Sequence, residues 1–143
     1  MPLFAQQNPI INSMRRFILL LTITILSATC AFAQKQADVF VPIGKYIQLG
    51  DAEKLSAWFA GNLELDILGS VSACSKIQAK QIMKDFFVNH TPKSFSIIHK
   101  SGKAPLTYAI GRLSAGGEKV RITLFVMTQE KGNQIQQLRI ERE

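Results

Sequence analysis

Residues Trp58–Phe87 read WFAGNLELDILGSVSACSKIQAKQIMKDFF, and the parsing of this stretch decides the fold. From Asn62 to Leu68 polarity alternates. Leu63, Leu65 and Ile67 share one face, and Asn62, Glu64 and Asp66 share the other. That period of two is the mark of a half-buried strand. Gly69 ends it, and the small residues that follow are read as a turn. Ser75 stands where a helix N-cap should stand, ahead of a helix over Lys76–Asn89. Ile77, Ile82, Phe86 and Phe87 are its expected apolar stripe. Two carboxylates in an apolar strand are either catalytic or the wet face of a sheet.

Upstream, Val39, Phe40, Ile43, Tyr46, Ile47 and Leu49 recur at helical spacing. The spacing predicts a helix over Asp38–Leu49, with Asp38 at its start and Pro42 in its first turns. Gly50-Asp51 stops that helix and caps a short second one over Ala52–Phe59. Downstream, Pro92 closes the helical half, and four strands are expected: Ser94–His99, Leu106–Leu113, Lys119–Gln129 and Ile135–Arg142. Val120, Ile122, Leu124 and Val126 mark a buried face. Ile135, Leu138 and Ile140 break alternation and predict a bulge near Gln136-Gln137. The predicted order is α-α-β-α-β-β-β-β, an α+β fold whose helices cover one face of a curved antiparallel sheet.

The N-terminus reads differently. Arg15-Arg16 precede an apolar run, Phe17–Leu26, and Ala31-Phe32-Ala33 fits the pattern of a signal-peptidase site. Residues 1–33 are read as an N-terminal extension and signal peptide, and residues 34–143 as one domain. Cleavage between Ala33 and Gln34 predicts export to the periplasm or the extracellular space, with no transmembrane span left. Cys30 raises the alternative of a lipidated cysteine, but Ser27 and Thr29 depart from that pattern. Loss of Arg15 and Arg16 lowers the formal charge from +7 to +5. The remaining lysines are scattered singly, with no polybasic run, so no nucleic-acid partner is expected. Cys74 is alone after cleavage, so the domain must stand on its core. Neither a metal site nor a cofactor is expected: there is no Cys/His metal spacing, phosphate loop, nucleophile elbow or dinucleotide fingerprint.

The order and spacing of LELDILG, SKIQAKQIMKDFF, PKSFSIIHKSG, YAIGRL and IQQLRIERE resemble the cone-shaped, nuclear-transport-factor-like (cystatin-like) superfamily. Within it they resemble a family of small exported Bacteroidetes proteins of unknown function. The resemblance spans nearly all of residues 34–143. It implies a bent sheet wrapped around a long helix, with a cavity in the cone. Superfamily members bind apolar ligands there, do acid–base chemistry, or only dimerise, so the fold does not choose the function.

The resemblance makes Asp66 the sharpest enzyme candidate. Some superfamily isomerases carry a catalytic Asp three residues before the glycine that ends this strand, as Asp66 stands to Gly69. A general base of that kind needs an apolar pocket and a donor for the developing oxyanion. Tyr46 sits about one turn out of register for that donor. His99, two residues beyond Ile97, is the other candidate, at the cavity mouth. His90 falls at a helix C-terminus, a structural place for imidazole. A pocket would be lined by Tyr46, Trp58, Phe59, Phe86, Phe87 and Tyr108, unless these simply fill it. Ala109 and Gly111 leave room on their strand face for a helix or a ligand. The reading is an exported, non-catalytic binding protein, taking a small apolar molecule in the cone or a protein partner on the sheet. One alternative is an isomerase- or dehydratase-like enzyme with Asp66 as base. The other is a homodimeric envelope-interaction protein, pairing through outward residues such as Phe125 and Met127.

Overall fold

The computed structural model describes residues 9–27 and 37–143. The chain divides into two units, residues 1–37 and 38–143. The first contains helix α1, Pro9–Ser27. Among the described residues no helix is long and apolar enough to cross a membrane. Cys30 and the Ala33-Gln34 junction lie outside the described residues.

The second unit opens with α2, Phe40–Leu49, and α3, Ala52–Ser56. Asp38 Oδ1 accepts from the Phe40 N–H at 3.0 Å, so its carboxylate does serve the helix start, although the helix begins two residues later than expected. Gly50 adopts φ 64°, the left-handed geometry that lets a chain leave a helix, and its N–H donates to the Ile47 carbonyl. Asp51 Oδ1 then accepts from the Lys54 N–H at 3.0 Å and caps α3. The second helix is shorter than the spacing predicts. The Trp58 carbonyl accepts from the Ile135 N–H at 2.7 Å, and Phe59 pairs with Ile135 in the sheet. Sheet pairing therefore takes Phe59 from the helix.

Strand β1 runs Phe59–Ile67 and β2 runs Ser70–Ser75. The second strand corrects the predicted order: the small residues after Gly69 are a strand, hairpinned onto β1, not a turn. Leu68 and Gly69 both take positive φ, 53° and 93°, which is what a tight two-residue hairpin requires. Helix α4, Lys76–Asn89, follows with a full capping box. Ser75 Oγ accepts from the Gln78 N–H, and Gln78 Oε1 accepts from the Ser75 N–H. Its buried stripe is Ala79, Met83, Phe86 and Phe87. Ile82 is half-buried and packs against the same core as the phenylalanines, whereas Ile77 is 75% exposed and lies off the expected stripe.

Strands β3 (Pro92–Lys103), β4 (Leu106–Ala115), β5 (Glu118–Gln129) and β6 (Gly132–Arg142) complete one six-stranded sheet of order β2-β1-β6-β5-β4-β3. Only β1 and β6 pair in parallel. Phe125 pairs with Gln137 and Val126 with Ile135, so Gln136 is the extra residue of the predicted bulge. Val120, Ile122, Leu124, Val126, Leu138 and Ile140 are buried on the inner face with the helices. The space beside Gly111 belongs to Phe95: a Cβ there would lie 2.2 Å from its ring.

Candidate functional site

The carboxylates of β1 point away from the helices. Leu63 and Leu65 are buried with the core, and Ile67 packs against it, which sends Glu64 and Asp66 to the outer face. Both are held by neighbours in register. Glu64 pairs with Gln137, whose Nε2 donates to Glu64 Oε1 at 2.7 Å. Asp66 pairs with Arg139, and Arg139 Nε lies 3.3 Å from Asp66 Oδ2, an ion contact without hydrogen-bond alignment. The other Asp66 oxygen accepts from the Gly69 N–H at 3.1 Å and ties the hairpin. An isomerase base needs an apolar pocket around a free carboxylate. Asp66 has instead a hairpin to close and a guanidinium beside it, on the face opposite the cone.

His99 is also turned away from the cone. Phe95 and Ile97 pack on the core, and unbroken alternation would aim residue 99 the same way. Ile97 pairs with Gly111, but His99 pairs with Ile110, so Ile98 is an extra residue. That bulge flips His99 outward. There its ring lies 5.9 Å from Tyr108, and Tyr108 lies 5.7 Å from Phe125. Tyr108 alternates with buried Ala109 and Gly111 and so belongs to this outer face, not to a pocket lined by Phe59. Tyr46, on α2, packs partly buried against the core. Asp66, Tyr46 and His99 are therefore not brought together: two lie on the outer face and one on the helical side.

The remaining aromatic candidates are packing residues. Phe59, Phe86 and Phe87 are 1%, 5% and 6% exposed, and Trp58 packs against the same cluster. The Phe86 ring also stacks on His90 at 4.6 Å, with His90 Nδ1 3.3 Å from the Phe86 carbonyl oxygen. Among the described residues, the side chains inside the cone pack as one buried core cluster. Burial pushes the Cys74 thiol up, and a bond with the Ser72 side chain opposes this only in part. A thiol so shifted is a poor nucleophile at neutral pH. Among the described residues no group of three or more His, Cys, Asp or Glu is placed to hold a metal ion.

Two surfaces stand out. The first is the outer sheet face, where Tyr108 and Phe125 pair directly and Leu106 and Met127 pair beside them. Glu64, Gln137 and Arg139 rim it. The second is a groove of about 430 Å³ between α2 and β3. The sequence pattern announces the first, because the outward residues of β5 include Phe125 and Met127. It misses the second. The bulge at Ile98 has no composition signature, Leu49 reads with the apolar set of its helix although it is 63% exposed, and Val41 lies outside that set.

Several solved structures share this architecture. A DUF4783 family protein from Bacteroides uniformis is 23% identical, with TM-score 0.71, covering 74% of this chain and 98% of its own. A cystatin-like domain of unknown function from Nostoc punctiforme is 12% identical, with TM-score 0.59, covering 73% of this chain and 72% of its own. An NTF-2 like protein of unknown function from Silicibacter pomeroyi is 15% identical, with TM-score 0.56, covering 85% of this chain and 98% of its own. At these identities the likeness establishes the fold, cystatin-like and NTF2-like, and nothing more. No curated protein matches. Residues 40–141 match the domain of unknown function DUF4783, and the chain belongs to that family.

Proposed function

We propose that this is an exported, non-catalytic binding protein that receives a protein partner on the outer face of its sheet. One observation carries the reading: half-exposed Tyr108 and Phe125 and exposed His99 form an aromatic group on the sheet face opposite the domain's helices. Tyr, Phe, Met and Arg are the residues that interface centres favour, and Met127 and Arg139 lie on the same face. Size supports it too. Six strands at about 4.8 Å spacing and about ten residues long give a face of about 900 Å². A stable interface takes about 800 Å² from each partner.

The filled cone supports the protein-partner version over a small apolar ligand inside it. The outward Asp66, tied to the Gly69 N–H and beside Arg139, weighs against the isomerase reading. Photo-crosslinking in the exporting host tests the proposal. A benzophenone amino acid at Phe125 should give discrete protein adducts, and one at Lys84, on the exposed side of α4, should not. Adducts at Lys84 and none at Phe125 would reject it. An adduct of twice the chain mass would identify the partner as a second copy.

A further inference from the structure

Helix α2 lies along β3 in a register fixed at three points. A Cβ on Gly50 would lie 3.3 Å from Pro92, and one on Gly44 would lie 3.1 Å from Phe95. Asp38 bonds Lys100. β3 is the last strand of the sheet, so its outer edge has no strand beside it. Phe95 and Ile97 form one wall of the groove there, and Val41, Lys45, Gln48 and Leu49 form the other. Val41 and Leu49 are 69% and 63% exposed. The groove thus lies where a strand added to β3 would send its inward side chains, since alternate residues of a strand project to one face.

Charge then specifies the occupant. α2 and β3 carry Lys45, Lys93, Lys100 and Lys103 and no carboxylate. The neighbouring carboxylate of Asp38 is already engaged by Lys100. Lysines and bulges, here at Lys93 and at Ile98, ordinarily discourage pairing on an edge strand. Such guarding does not account for an apolar groove beside the edge. A second β3 fits less well than an acidic strand, because it brings no carboxylate to these lysines. We propose that the β3 edge, along Ser94–Ile97 between the bulges at Lys93 and Ile98, captures an extended acidic-apolar peptide segment of another protein. The segment adds as a strand, its apolar side chains entering the groove beside the Lys45 stem and its carboxylates, at the alternate positions, lying on the other side near Lys93.

The test uses two acetylated octapeptides, one alternating valine with glutamate and one alternating valine with lysine. Each is titrated into the isotopically labelled protein and followed by backbone amide shifts. The glutamate peptide should give saturating shifts along β3 and α2 and bind at least about tenfold more tightly than its lysine twin, with the preference shrinking in salt. Val41→Asp should weaken binding about tenfold without moving the urea midpoint, because Val41 is exposed. Absence of shifts on β3, equal binding of both peptides, or shifts confined to Tyr108 and Phe125 would overturn the proposal. So would β3 broadening with protein concentration alone, which would assign the edge to a second copy.

Discussion

Along β5, Val120, Ile122, Leu124 and Val126 are all buried, while Arg121 is exposed and Thr123, Phe125 and Met127 are half-exposed. One backbone serves two unlike environments. The inner face is a continuous apolar layer against the helices, where shape decides what fits. The outer face mixes aromatic, amide, cationic and anionic groups, each with a neighbour one strand away. The inner face is committed to the fold. The outer face tolerates change in stability and is where recognition has room to operate.

Truncation on each face is the strongest way to break that comparison. Leu124→Ala should lower unfolding free energy by about 3 kcal/mol, because it opens a cavity in a closed layer. Phe125→Thr, one residue away, should cost about 1 kcal/mol or less. Urea unfolding of both variants measures the difference. Equal losses would mean that the outer face is as structural as the inner one.

Gly111→Ala probes the inner face by addition. The new methyl would meet the Phe95 ring, so a cost of about 1–3 kcal/mol is expected. In a Phe95→Ala background most of that cost should disappear, because the two sites share one space, leaving only the tight 3.2 Å approach to the Ser96 carbonyl oxygen. An undiminished cost in that background would place the strain in the backbone instead.

These faces differ in how far they could be read from sequence. Alternation in β1 and β5 exposes the inner layer directly, because burial forces the period. The capping signals Gly50, Asp51 and Ser75 are equally plain, since each satisfies specific backbone groups. Phe59 and the strand Ser70–Ser75 are not plain. Their state is set by the partners Ile135 and β1, which lie far away or across a turn. His99 shows the same limit. A single inserted residue, Ile98, reverses which face it takes, and no local preference encodes that. The site is thus less legible than the fold because it depends on bulges and edges, where pairing rather than pattern decides.

Asp66 sharpens the comparison at the sheet's outer face. Asp66→Ala removes both the bond to the Gly69 N–H and the contact with Arg139. The expected cost is about 1 kcal/mol, the scale of a lost cap plus a partly exposed ion pair. Asp66→Asn keeps an acceptor for Gly69 and should lose less. A gain of stability in both variants would instead mark a carboxylate held at a cost, as functional carboxylates often are.

The smallest effect expected is at Asp38, beside the α2–β3 groove. The Lys100 ammonium hydrogen-bonded to Asp38 holds its carboxyl below the usual carboxylate range, against a smaller opposing effect of burial. The folded pKa is therefore below the unfolded one. Above the unfolded value, about 4, the stabilisation is fully present. As pH falls through the folded value it is lost, because the unfolded chain takes up the proton first. Asp38→Asn should change stability little at pH 7, since the pair is exposed and screened. Below a pH of about 4 the variant's stability should fall less steeply than the parent's. Acid limbs that superimpose would show that Lys100 contributes nothing to the folded state. Its charge would then be as free as that of Lys45 for a carboxylate arriving from outside.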